Sequence, residues 1–201
     1  VNAASISLLT GTIVQVQAAY TANTAGTITG LADRAVKISD SSVTATDLNN
    51  LNSATTGSID ASSVTSISGL GSDLVGIYSA SGEISGLGTE NVSITDTGTL
   101  ASSTVTSIDA YTTGTVTLSG AGSLTLSSTA GQTVDLSGVT NSLSGTLTIN
   151  DSTGDEIIIG TSGNDIINIS SGSDTVNAGN GADTINIAID NLDNADTVNG
   201  G

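Results

Sequence analysis

The 201-residue chain has no proline, cysteine, methionine, histidine, tryptophan or phenylalanine, and its only aromatic residues are Tyr20, Tyr78 and Tyr111. Each absence removes a class of function. Without histidine or cysteine there is no Ser-His pair, no thiol nucleophile and no zinc ligand set. Without cysteine there is also no disulfide framework. A core lacking Phe, Met and Trp has none of the usual fillers of irregular gaps. No apolar run approaches membrane-spanning length, and no basic stretch leads into an apolar one at the N-terminus. Arg34 and Lys37 are the only bases against 19 acids, for a net charge of −17. That balance excludes nucleic acid, since nothing neutralises phosphate, and argues against anionic membrane surfaces. Lys37 is the only amine that can activate a serine, and no phosphate loop or dinucleotide fingerprint occurs. The acids are dispersed or locked in repeats rather than paired for sugar hydrolysis. The chain reads as non-enzymatic.

What is present is Ile, Val, Leu and Ala, set among Ser, Thr, Asn and Gly. High β-branched content with few charges points to ordered β-structure rather than disorder. A cation is the expected counter-partner, and a hard one, because only oxygen ligands are available.

From residue 151 the chain aligns on itself every nine residues: DSTGDEIII, GTSGNDIIN, ISSGSDTVN and AGNGADTIN, then an inserted IAID, then NLDNADTVN (191–199). Column four holds Gly154, Gly163, Gly172, Gly181 and Asn194, the two residue types most tolerant of left-handed backbone. Column six is always a carboxylate: Glu156, Asp165, Asp174, Asp183 and Asp196. Column eight is always β-branched: Ile158, Ile167, Val176, Ile185 and Val198. A turn, a carboxylate and a short strand make one side of a stacked coil.

A longer period precedes it. ITGLADRAVKISD (28–40) matches ISGLGTENVSITD (84–96) at an offset of 56, and LNSATTGSID (51–60) matches IDAYTTGTVT (108–117) at 57. Tyr20 corresponds to Tyr78 at 58, and VNAASI at the start resembles IDASSV (59–64). The unit is therefore about 57 residues long. Its segments VKIS, GSID, VTSIS and VSIT alternate like strands. ATDLNNLNS (45–53) and SDLVGIYSA (72–80) carry apolar residues at helical spacing. Strand spacing then tightens to about ten residues around LTL (124–126), VDL (134–136) and LTI (147–149). The regions expected are a long-period repeat (1–117), transitional β-coils (118–150) and nine-residue coils (151–201). Both ends fall inside repeats, so the chain is expected to be cut from a longer protein.

The nine-residue rows resemble the RTX (repeats-in-toxin) motif GGxGxDxUx, whose rows form a calcium-binding β-roll. The likeness covers residues 151–199 and is specific in columns four, six and eight; only Gly160 keeps the first glycine and only Gly179 the second. The resemblance implies that consecutive rows lie on opposite sides of a flattened roll, with calcium between rows two apart. Asp165 and Asp183 then share one edge, Glu156 and Asp174 the other, and Asp196 follows the insertion. The 57-residue unit is similar to modules of very large repetitive surface proteins of marine bacteria, including cyanobacteria.

Electrostatics asks for a cation independently of any family. Carboxylates in stacked coils lie about 5 Å apart. Each pair then repels by about 3 kcal/mol at an effective dielectric constant near 20. No base follows Lys37 to relieve this. Calcium can, and sites of extracellular modules work at about 0.1–1 mM, above cytosolic levels.

The fold expected is a mainly β, right-handed parallel β-solenoid with short interspersed helices, ending in an RTX-type β-roll. The function expected is a secreted, calcium-stabilised structural protein of the cell surface or extracellular matrix, assembling with itself into a homo-oligomer or filament. The alternatives are a repetitive adhesin or binding module touching glycans or surfaces, and the secretion and folding domain of an exported enzyme or toxin.

Overall fold

Alternating β-branched and hydroxyl side chains favour short pleated strands with one apolar face, and such strands dominate a computed structural model of the chain. It describes residues 1–188, 190–192 and 195–201, where eighteen strands of two to five residues accompany four short helices. The inter-strand pairings resolved between them are parallel. The protein is thus mainly β, built of parallel sheets with α1 (Ile13–Thr24), α2 (Ala45–Ala54), α3 (Gly71–Ser79) and α4 (Ser102–Tyr111). Among the described residues no helix is long and apolar enough to cross a membrane. Two compact units are distinguished, Val1–Val92 with Thr112–Gly114, and Ser93–Tyr111 with Thr115–Gly201.

In the first unit, Leu8–Gly11, Ala35–Ile38, Ile59–Asp60 and Ile84–Ser85 form one parallel sheet, and Ser42–Thr44 pairs with Ser66–Gly69. In-register partners such as Val36 and Ile59, or Val43 and Ile67, stack fully buried apolar side chains. Each contributes about 1.5–3 kcal/mol of burial. The helices lie side by side, α2 against both α1 and α3. They are stitched by Gln17 Nε2 to the Asp47 carbonyl (3.0 Å) and by Asn49 Nδ2 to the Asp73 carbonyl (3.0 Å). α1 starts in a capping box, Thr12 with Gln15, and α2 starts at Thr44, whose hydroxyl oxygen accepts from the Asp47 N–H.

The 57-residue period reappears as duplicated contacts. A Cβ on Gly57 would stand 2.1 Å from the Arg34 carbonyl oxygen, and one on Gly114 would stand 2.2 Å from that of Glu90. Thr55 and Thr112 brace these turns, each accepting from its glycine's N–H. Gly30 and Gly86, at φ +86° and +84°, press against Ala4 and Ser62. The pairs Arg34/Glu90 and Thr55/Thr112 are equivalent positions of successive 57-residue repeats.

The segments 45–53 and 72–80 are helical as their spacing predicts. α1 and α4 were not predicted, because IVQVQ and TVTSI alternate like strands. Their buried residues follow helical steps instead: Ile13, Val16 and Tyr20 in α1, and Ser102, Val105 and Ile108 in α4.

In the second unit, Gly98–Ala101, Leu124–Ser127, Leu147–Asn150, Asp165–Ile169 and Thr184–Ile187 form one sheet. Thr133–Asp135, Ile157–Ile159, Thr175–Asn177 and Thr197–Asn199 form another. Beyond Leu147, partners such as Ile149 and Ile167, or Ile158 and Val176, are two nine-residue rows apart. Consecutive rows therefore alternate between the two sheets. Leu126, Ile149 and Ile167 form one buried column, and Val134, Ile158 and Val176 the other. Asn186, Asn168 and Asn150 stack in a side-chain amide ladder with bonds of 2.8 and 2.7 Å.

Candidate metal centre

A register of two rows sorts the column-six carboxylates into two stacks. In one, the Glu156 N–H donates to Asp174 Oδ1 (3.0 Å), and the Asp174 N–H donates to Asp196 Oδ1 (2.9 Å). In the other, the Asp165 N–H donates to Asp183 Oδ1 (2.9 Å). Asp174, Asp183 and Asp196 thus each cap the backbone of the row two repeats earlier, the neighbour in the stack. Column five adds a parallel set, with Asp155 accepting from the Ser173 N–H and Asn164 from that of Ala182. Asn194, the column-four residue of the last row, lies outside the described residues.

The glycine column serves this stacking mainly through close approach. A Cβ on Gly172 would stand 1.6 Å from the Gly154 carbonyl oxygen, and one on Gly181 would stand 2.5 Å from that of Gly163. Positive φ occurs at Gly172 and Gly181 but not at Gly154 or Gly163, so left-handed backbone explains only two of the four glycines.

The remaining carboxylate oxygens separate the stacks. Asp165, 1% exposed, is held by Thr161, whose N–H donates to Oδ2 (2.7 Å) and whose hydroxyl lies 3.0–3.1 Å from both oxygens. Glu156, also 1% exposed, accepts at Oε1 from the Gly131 N–H (2.7 Å) and the Ser152 hydroxyl (2.8 Å). Its Oε2 has no partner, and neither has Oδ2 of Asp174, likewise 1% exposed, or Oδ2 of Asp183. Asp151 accepts from the Ser170 N–H at Oδ2 (3.1 Å) and stands beside Glu156 and Asp174, so that one oxygen of each of the three lies within 4.8 Å of the others.

These surroundings disfavour charge. Burial pushes the Asp151 carboxyl up to about 7, with proximity to Glu156 adding to it against the Ser170 N–H. Burial also raises Asp174, reinforced by the charges of Glu156 and Asp196, and raises Asp165 against the hydrogen bonds from Thr161. Two carboxylates at such separations repel by about 3–4 kcal/mol at an effective dielectric constant near 20. Protein bases offer no relief: Lys37 Nζ is bound to Asp60 (2.5 Å) and Arg34 Nε to Asp33 (3.2 Å). Unpartnered buried oxygens on an all-oxygen donor set fit a hard divalent cation.

Asp151 was not among the residues expected from sequence, because it occupies column one, where the motif carries glycine. The available signal was its carboxylate five residues before Glu156, across one turn. The chain matches no protein-family model, no curated protein and no solved structure.

Proposed function

We propose that the chain is a right-handed β-solenoid ending in an RTX-type β-roll. On this reading it is a calcium-stabilised, non-enzymatic structural segment of a secreted cell-surface or matrix protein that assembles with itself into filaments or sheets. The observation that carries the reading is the set of buried carboxylate oxygens on Glu156, Asp174 and Asp183 that no protein group satisfies. In-register parallel rows two repeats apart support the roll, since they bring like acids together along one edge. Extracellular calcium, at about 0.1–1 mM, suffices for sites of this chemistry, so folding of the roll follows export. In the assigned role Glu156, Asp174 and Asp196 serve one edge, and Asp183, with Asp165, the other. Calcium supplies the positive charge that the sequence lacks.

Two measurements test this. Circular dichroism of the purified chain should lose β-signal in chelator and regain it with calcium; full β-signal in chelator contradicts calcium dependence. Electron microscopy with calcium should show ordered fibres or sheets, whereas monodisperse particles with affinity for glycans would favour an adhesive module.

A further inference from the structure

We propose that Asp151, Glu156 and Asp174 form one discrete calcium site, in which Asp151 is a ligand that the nine-residue motif does not supply. The inference rests on the calcium reading above and narrows it to a particular place and donor set. Three observations converge there. One oxygen of each side chain lies within 4.8 Å of the others, a span that a single ion ligated at about 2.3–2.6 Å can bridge. Glu156 and Asp174 are both 1% exposed, and each keeps one oxygen with no hydrogen-bond donor. Asp151 is fixed by the Ser170 N–H at 3.1 Å and by the Ser128 hydroxyl at 3.5 Å, so its carboxylate is held rather than swinging in solvent.

The other stack makes the contrast. Thr161 saturates Asp165, which leaves Asp183 Oδ2 as the one unpartnered oxygen of that pair. Column one at the equivalent place in the next row is Gly160, which brings no carboxylate. The nine-residue rows therefore differ in what they can hold. The row beginning at Asp151 brings two acids to one point and Asp174, two rows on, brings a third, for a formal charge of −3 that one divalent ion reduces to −1. Asp151 thus ties the first row to the Glu156–Asp174 edge, and a cation there closes the turn between residues 151 and 156.

Titration calorimetry of calcium chloride into the chelator-stripped full chain, paired with thermal melts, tests the assignment. D151N should weaken the tightest calcium-binding step by about tenfold or more, since one of three charged ligands is lost. It should also raise the calcium-free melting temperature, because it removes repulsion; a purely structural role for Asp151 would lower it. D33N, an exposed acid paired with Arg34 and far along the chain from the nine-residue rows, should leave that step within about twofold. If D151N fails to fold, Asp151→Ser, which keeps an oxygen for the Ser170 N–H, is held to the same outcomes. Wild-type calcium affinity in the Asp151 variant removes this site while leaving the wider calcium reading intact. No calcium binding by the wild-type chain overturns both.

Discussion

The two repeat regions stack parallel strands in the same way but differ in how completely they satisfy their buried acids. In the long-period region Glu90 is fully buried, and it is satisfied from within. The Tyr78 hydroxyl donates to Oε1, and the Gly88 and Thr89 N–H groups donate to Oε2 at 2.7 and 3.0 Å. Asp60, which is partly exposed, has the Lys37 ammonium and the Ser62 N–H. In the nine-residue region Glu156, Asp174 and Asp183 each keep an oxygen that nothing in the protein reaches. A repeat of about 57 residues has room for dedicated hydroxyl and amide donors. A nine-residue repeat places an acid on every row and, on our reading, leaves much of the neutralisation to a cation from outside the chain. The first region is self-sufficient; the second, on our reading, is conditional on a cation.

The largest effects should be common to both regions and set the scale. Gly57→Ala and Gly114→Ala place a Cβ within 2.2 Å of a stacked carbonyl oxygen, and Ile167→Ala empties a fully buried site. Each should cost about 2–5 kcal/mol in denaturant unfolding, with or without calcium. Tolerance of one glycine substitution but not the other would break the claim that the repeats share this turn.

Next come the acids, where the regions should part. Asp174→Asn, measured in chelator, should be neutral or stabilising by about 1–2 kcal/mol, because it removes a charge from a buried, like-charged site. With calcium it should be destabilising. Glu90→Gln should destabilise by about 1–3 kcal/mol in either condition, because Tyr78 and two amides lose a charged acceptor.

The pH response should have opposite slopes. Asp151, Asp165 and Asp174 have raised carboxyl pKa values, so in the calcium-free protein their ionised forms oppose folding above the unfolded value. Stability of the nine-residue region should therefore rise as pH falls from about 7 towards 4. The Lys37 ammonium and Ser62 hold Asp60 well below the usual carboxylate range. Its contribution is present above the unfolded pKa and is lost as pH falls below about 4. Thermal melts of single-region probes from pH 7 to 3 check both signs. The smallest effect is Lys37→Ala, below about 1 kcal/mol at neutral pH, because that pair is about 40% exposed.

Much of this was legible in the sequence. The nine-residue columns carry their residue types in plain view, and the alternation of VKIS and VTSIS marks real strands. Two helices escaped because β-branched alternation in IVQVQ and TVTSI imitates a strand. The long repeat nevertheless held the answer. α1 aligns with α3 at the Tyr20–Tyr78 offset, and α4 starts 57 residues after α2, at Ser102 against Ala45. Carrying a helix from one unit to its equivalent would have found both. Asp151 escaped for a different reason: it sits in a column that the motif reserves for glycine, and only the stacking of Ser170 and Asp174 above it brings the three acids together. Which carboxylates are saturated was also beyond the pattern, since Asp165 and Asp183 look alike until Thr161 is placed.

Hydrogen exchange read segment by segment, in chelator and then at roughly 1 mM calcium, tests the contrast most directly. The account predicts that amides of the rows around Glu156, Asp165 and Asp174 exchange fast in chelator and become protected with calcium, while those of Ala35–Ile38 and Asn91–Ile94 stay protected in both. Equal protection of the two regions in chelator, unchanged by calcium, would contradict it.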